Sequence, residues 1–261
     1  MTFWSRVNST SGLGLAAHAR ITMRRVTVDV EKLTAHNPGP MTLDGTNTYV
    51  VGRDPAVVID PGPDEADHLE AVRRAGEARG GLGTVLLTHR HGDHSDGVAA
   101  LGVEPAHPRD GETIAGLTAI ATPGHSADHL CFVIDDACFT GDLILGEGST
   151  IVGPREMGGS LADYMRSLER LRQLELGVLY PGHGPEVRDP RAKIDEYIEH
   201  RMMRERRLVA ALERGERSRA ALLAEVWDDV PDALRGAAAI AMQAHLGKLE
   251  DEGRLPTDLS D

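Results

Sequence analysis

Cysteine, aromatic side chains and long apolar runs are all scarce in this chain, and each shortage argues against a class of protein. Two cysteines among 261 residues, Cys131 and Cys138, cannot build a disulfide scaffold. They fall on what reads as a hairpin, Leu130–Ile134 and Ala137–Thr140, joined by Asp135-Asp136. In that register Cys138 faces Val133, and Cys131 becomes a diagonal neighbour about 7–8 Å away, too far for easy bridging. A reducing compartment, the cytoplasm, is therefore expected. No apolar stretch approaches the roughly 18 residues of a spanning helix, the longest being short runs such as Val85–Leu87 and Ala237–Met242, so integral membrane function is excluded. Aromatics at 3% leave few platforms for stacked bases. The excess of 41 Asp+Glu over 28 Lys+Arg, net charge -13, repels phosphate backbones and anionic membranes unless basic groups cluster. What remains, 41% hydrophobic and 26% charged, is ordinary globular usage, and the length suits one large domain or a domain with an appendage.

Residues 1–25 carry Arg6, Arg20, Arg24 and Arg25 with no acidic partner, and their apolar piece Gly12–Ala17 is too short for a secretory core, so a flexible N-terminal segment is expected. Strand patterns follow at Asn47–Val51 and Val57–Ile59, the second closed by Asp60 and Pro61-Gly62-Pro63. Asp64 reads as the cap of a helix reaching about Arg79. Further strands are expected at Thr84–Thr88, Leu117–Ala121, in the hairpin above and at Val178–Tyr180, with a helix at Leu161–Leu174. Strands interspersed with helices predict an α/β layered sandwich for residues 26–190. Beyond Pro190 the pattern is helical only, near Arg191–Arg214, Ser218–Trp227 and Asp232–Glu252, which predicts a second, small domain over 191–261.

Thr84–Thr88 runs directly into His89-Arg90-His91-Gly92-Asp93-His94. His89 and His91, two apart on extended backbone, direct both imidazoles to one side. Three histidines and a carboxylate in six residues supply the nitrogen and oxygen ligands zinc prefers. More candidates stand beside glycines at strand ends: His125 in Pro123-Gly124-His125, Asp142 after Gly141, and His183 in Pro181-Gly182-His183. Ser126, Asp128 and His129 follow His125 and lie within reach of the same region, while His18, His36, His68, His107, His200 and His245 have no such context and read as surface or core residues.

In order and spacing, Thr88–His94, His125, Asp142 and His183 resemble the metallo-β-lactamase superfamily. The resemblance covers roughly residues 26–188 and implies the four-layer αββα sandwich of that superfamily. It implies two zinc ions, with iron or manganese as alternatives: His89, His91 and His125 on one, Asp93, His94 and His183 on the other, Asp142 bridging. Such a pair lowers the pKa of a bridging water from about 15.7 towards about 7, so a hydroxide nucleophile exists at neutral pH. Asp93 is the expected proton carrier, and Asp60 and His129 are expected to support the ligands from behind.

Departures narrow the substrate. The commonest lactamases place a cysteine where Asp142 stands, glyoxalase-II-type thioesterases carry a Gly-Cys-Gly-Arg segment where this chain reads Leu143-Ile144-Leu145-Gly146-Glu147-Gly148, and the nuclease insertion of the β-CASP branch has no room between Asp142 and His183. Asn37-Pro38-Gly39-Pro40, Gly45-Thr46-Asn47-Thr48-Tyr49 and the helical tail resemble the beta-lactamase-like protein 2 subfamily, whose tail is winged-helix-like. That resemblance implies cleavage of single-stranded RNA, which the arginines between Arg201 and Arg219 would help to track. Its alternative is hydrolysis of acyl thioesters or esters, with a DNA-binding regulator holding structural zinc further behind. Because every candidate ligand precedes Pro190, the tail is expected to serve substrate access, and a chain truncated there to keep its metals.

Overall fold

The computed structural model describes residues 28–260, so the expectation for residues 1–25 lies outside the described residues. Two mixed sheets form the centre. The first joins β1 (Val30–Thr34), β2 (Asn47–Val51), β3 (Ala56–Ile59) and β4 (Leu82–Leu86) in that order; the second joins β5 (Thr113–Ile114), β6 (Leu117–Ala121), β7 (Leu130–Ile134), β8 (Ala137–Gly141) and β9 (Val178–Pro181) in that order. Within each sheet only the last pair is parallel, β3 with β4 and β8 with β9.

Alternation along the strands decides the layers. Tyr49, Val51, Val57 and Ile59 point from the first sheet into a shared core with Leu117, Phe132, Phe139 and Tyr180 of the second. The intervening Val50, Ala56 and Val58 face the opposite way, onto Leu69 and Val72 of helix α1 (Ala66–Glu77). On the far face of the second sheet, Cys131 and Cys138 pack under Tyr164, Leu168 and Leu171 of α4 (Leu161–Arg172), a helix whose buried residues recur at three- and four-residue spacing. Helix, sheet, sheet and helix are the four layers expected. The few aromatics are concentrated at their centre, where Tyr49, Phe139 and Tyr180 sit with ring centroids 5.0–5.4 Å apart.

The hairpin register holds, with Val133 opposite Cys138 and both cysteines free and buried. Other boundaries shift. Helix α1 begins after Glu65, not at Asp64, because a Pro63–Glu65 turn delays its start, and no side chain caps it. The strand expected at Thr84–Thr88 ends at Leu86, since Thr88 turns away to hydrogen-bond Asp60. Two elements follow the histidine motif, α2 (Gly92–Ser95) and α3 (Val98–Leu101), both too short for periodicity to reveal.

After β9 the chain is helical: α5 (Pro190–Glu213), α6 (Arg219–Val226) and α7 (Arg235–Asp251), the last preceded by a 3-10 turn at Asp232–Leu234. Asp189 and Ser218 accept hydrogen bonds as caps of α5 and α6. Helix α5 belongs to two cores. Its Ile194, Tyr197 and Ile198 join α4 under the second sheet, whereas Leu208, Ala211 and Leu212 join Leu222, Trp227, Met242 and Leu246 of the tail. Among the described residues of the tail the β contact is the single bridge Ser218–Ser260, and no strand pair forms a wing. No described helix is long and apolar enough to cross a membrane.

Candidate metal centre

Because each parallel pair runs in one direction, the carboxyl ends of β3, β4, β8 and β9 open on one edge, and the chain leaving each carries a polar residue to that edge: Asp60, His89, Asp142 and His183. His125 arrives on the loop after β6, while Asp93 and His94 lie on α2. All seven candidate ligands converge. His89, His94 and His183 are almost fully buried, Asp93 is half-buried, and His91 is exposed, so the centre opens to solvent on the His91 side.

Their atoms fall into two groups. In the first, His91 Nδ1 lies 3.0 Å from both His89 Nε2 and His125 Nε2. In the second, Asp93 Oδ2 lies 3.5 Å from His94 Nε2 and 3.3 Å from His183 Nε2. Asp142 stands between them: Oδ1 is 3.4 Å from His94 Nε2 and from His183 Nε2, and Oδ2 is 3.7 Å from His125 Nε2. A tetrahedral ion with bonds of about 2.0–2.2 Å has ligand–ligand edges of about 3.3–3.6 Å. The second group matches that spacing and the first is slightly tighter. His94 Nε2 and Asp142 Oδ1 are buried and make no hydrogen bond, the signature of lone pairs reserved for a cation. The donor set and its geometry thus fit two divalent ions.

The outer nitrogens of four of the five histidines are engaged. His94 Nδ1 lies 2.9 Å from Asp60 Oδ2, His125 Nδ1 lies 2.9 Å from Ile151 O, and His183 Nδ1 lies 3.2 Å from Gly45 O. Thr88 Oγ1 donates to Asp60 Oδ2 at 2.6 Å, which leaves its lone pairs to accept from His89 Nδ1 at 3.0 Å. Each contact places the ring proton on Nδ1 and turns Nε2 towards the centre. Asp60 therefore serves both groups, directly through His94 and through Thr88 to His89. His129 lies behind His89 as a packing neighbour: its Nδ1 contacts Thr122 Oγ1 at 2.9 Å, and its ring packs on that of His89 with centroids 5.2 Å apart. Ser126, itself buried, donates to Asp128, whose exposed carboxylate faces Arg90, so neither contacts a candidate ligand.

Thr46, Gly45, Thr88 and Ile151 were not singled out as ligand supports by the sequence. The signal for the first two lay in Gly45-Thr46-Asn47-Thr48-Tyr49, which clamps the His183 loop: Asn47 N donates to Gly182 O, and Asn47 Nδ2 and Tyr49 Oη both donate to Pro181 O. Thr46 Oγ1 reaches Asp93 Oδ2 at 3.4 Å and is itself held by Asn37 Nδ2 at 3.0 Å. Gly182 is required by close approach, since a Cβ there would stand 2.6 Å from Asp142 Oδ1 and from His94 Cε1.

Burial penalises every charge here, yet opposite charges outweigh it in the second group. Asp142 stays well below the usual carboxylate range despite burial, because His94 and His183 face it. His183, against the same desolvation, is raised to about 9 by its contacts with Asp142 and Asp93. His89 lies on the other side of the balance: burial, reinforced by the charge of His94, pushes it well below its ordinary value. A cation held by the second group would compete with the proton that His183 keeps, so uptake there would release protons.

The sequence matches the metallo-beta-lactamase superfamily over residues 41–109 and 103–183. The chain is 36% identical to the beta-lactamase-like protein 2 homolog of Caenorhabditis elegans, over 86% of its own length and 85% of that protein. It is 39% identical to the lactamase-like protein adaB of Aspergillus niger, of whose length it spans 66%, and 35% identical to an atrochrysone carboxyl ACP thioesterase of Aspergillus fumigatus, covering 89% of the chain and 76% of that enzyme. A beta-lactamase domain protein from Burkholderia ambifaria shares the fold, with a TM-score of 0.73 at 20% identity over 86% of each chain. This chain belongs to the metallo-beta-lactamase superfamily.

Proposed function

We propose that this member of the metallo-beta-lactamase superfamily is a dinuclear metallo-hydrolase of acyl thioesters, with zinc as the preferred ion. The observation that carries the dinuclear reading is Asp142, whose two oxygens are divided between the two histidine groups. Bound there, two divalent ions would acidify a water and polarise the carbonyl of the substrate. The chain's own part is to hold those ions at a fixed spacing and to manage the proton. Asp93, held below the usual carboxylate value by His183 and His94 against the effect of its burial, stays ionised at neutral pH. Thr46 and His183 fix Oδ2, which leaves the partly exposed carboxylate positioned to accept the proton of the attacking water.

Three considerations favour a thioester over RNA. A thiolate leaves without a strong acid beside it, so a thioester asks less of the site than a phosphodiester, whose alkoxide must gain a proton as it leaves. The thioesterase named above is similar over most of its length. The arginines expected to follow a phosphate backbone are also engaged elsewhere. Arg201 and Arg204 are buried, Arg204 pairs with Asp229, Arg206 with Glu199, Arg207 with Asp228, Arg214 with Glu225 and Arg217 with Asp258. The deciding experiment is a side-by-side assay of metal-loaded protein on an acyl N-acetylcysteamine thioester and on single-stranded RNA, with Asp142→Ala as control. Thioester hydrolysis lost in the control is expected; RNA cleavage with the thioester intact overturns the proposal.

A further inference from the structure

Arg201, on α5, is 4% exposed, and among the described residues no carboxylate lies within salt-bridge distance of it. An isolated buried guanidinium is costly unless its donors are strongly engaged. Its Nη2 donates to Thr150 O at 2.5 Å and to Ser149 Oγ at 3.1 Å, and its plane lies over Tyr164 at 5.3 Å, while its buried Nε has no partner among the described residues. The charge is therefore directed onto one segment of backbone, the loop that follows Asp142. That same segment holds a candidate ligand: Ile151 O lies 2.9 Å from His125 Nδ1, and Thr150 Oγ1 lies 3.3 Å from it. Four residues up the same helix face, Tyr197 Oη accepts from Leu145 N at 3.0 Å, so α5 grips the loop at both ends.

We propose that Arg201 is a positioning residue for His125: by fixing the carbonyl of Thr150 it sets the next carbonyl, that of Ile151, at the height and direction that turn His125 Nε2 towards His91 and Asp142. The inference rests on the dinuclear reading above and extends it into the helical tail. It assigns to α5 a part in building the first metal group, where the sequence pattern pointed to substrate access alone. A charge-assisted bond to a carbonyl suits the task, because it is short and directional and is shielded from water.

The test uses the full chain, stripped of metal and titrated with Co(II) alone, its visible absorption and a competing chelator giving two stepwise dissociation constants. His125→Ala identifies which constant belongs to the first group. Arg201→Met should fold, keep the constant of the Asp93, His94 and His183 group within threefold, and weaken the other by about 10- to 100-fold, the usual effect of losing a partner behind a ligand. Arg201→Lys, which can reach Thr150 O but not both acceptors, should recover part of that loss. On a His125→Ala background Arg201→Met should cost nothing further, a non-additivity that a merely structural role would not produce. Unchanged constants, equal weakening of both, or additive losses overturn the proposal. If Arg201→Met fails to fold, Arg201→Lys is judged by the same selective weakening. Fewer than two ions on the wild-type chain would remove the dinuclear reading and this inference together, whereas two ions indifferent to Arg201 would remove this inference alone.

Discussion

Replacing Asp60 by asparagine keeps the shape of a buried side chain and removes one of its acceptors, and the three hydrogen bonds it receives define the consequence. Oδ1 accepts from Thr88 N at 2.7 Å, and Oδ2 accepts from Thr88 Oγ1 at 2.6 Å and faces His94 Nδ1 at 2.9 Å. An amide nitrogen at the first position meets the backbone N–H of Thr88; at the second it meets the Nδ1–H of His94 and forces the proton onto Nε2, where it blocks ligation. Either way one bond to a charged acceptor is lost in the interior, about 1.5–3 kcal/mol. At about 1.4 kcal/mol per tenfold, that is roughly 10- to 100-fold in metal affinity. Thr88→Val makes the comparison specific, because it deletes the partner of His89 and leaves the contact between Asp60 and His94 in place. Competition titration with a chromophoric zinc chelator should show Asp60→Asn weakening both steps and Thr88→Val only the step assigned to His89, His91 and His125. Wild-type constants in Asp60→Asn, or equal weakening of both steps by Thr88→Val, would refute the relay through the Thr88 hydroxyl.

His200 on α5 is lowered to about 4 by burial and by the charges of Arg201 and Arg204. Its unfolded value is about 6.5, so the stability it contributes is complete above that pH and falls as the pH drops towards the folded value; His200→Gln should flatten this part of the profile of melting temperature against pH. Arg204 bonds Asp229 at 2.7 and 2.9 Å and Val226 O at 2.6 Å beneath the surface, so Arg204→Ala should cost about 2–3 kcal/mol in urea denaturation, mostly from the stranded carbonyl, while Arg207→Ala at a more exposed pair should cost about 1 kcal/mol or less. A chain ending at residue 189 should lose its cooperative transition in circular dichroism, because Ile194, Tyr197 and Ile198 leave the core shared with α4; a folded truncation holding two ions would show that this half of the core is dispensable.

The strands were legible because their period is short and their ends are marked: Leu117–Ala121 and Leu130–Ile134 fall where alternation and turn residues put them, and the cysteine register followed from a two-residue turn. The candidate ligands were legible too, since histidine and aspartate beside glycine at strand ends leave little else to explain them. Local sequence could not supply partners distant along the chain. Thr88 and Ile151 carry no mark of their role, which arises only when a hydroxyl or a carbonyl is brought within about 3 Å of an imidazole nitrogen, hydrogen-bond distance. The arginines between Arg201 and Arg219 show the same limit in the opposite sense. In sequence they make a basic run; in three dimensions their charge is consumed by Asp228, Asp229, Glu225 and Asp258 from other elements, and by a carbonyl beside the candidate metal centre. Composition and spacing determined which atoms could bind a cation, because ligand chemistry belongs to the residue type. The tertiary structure decided which way those atoms point and which charges remain available to a substrate, because hydrogen-bond direction and electrostatic pairing depend on distance in space and not along the chain.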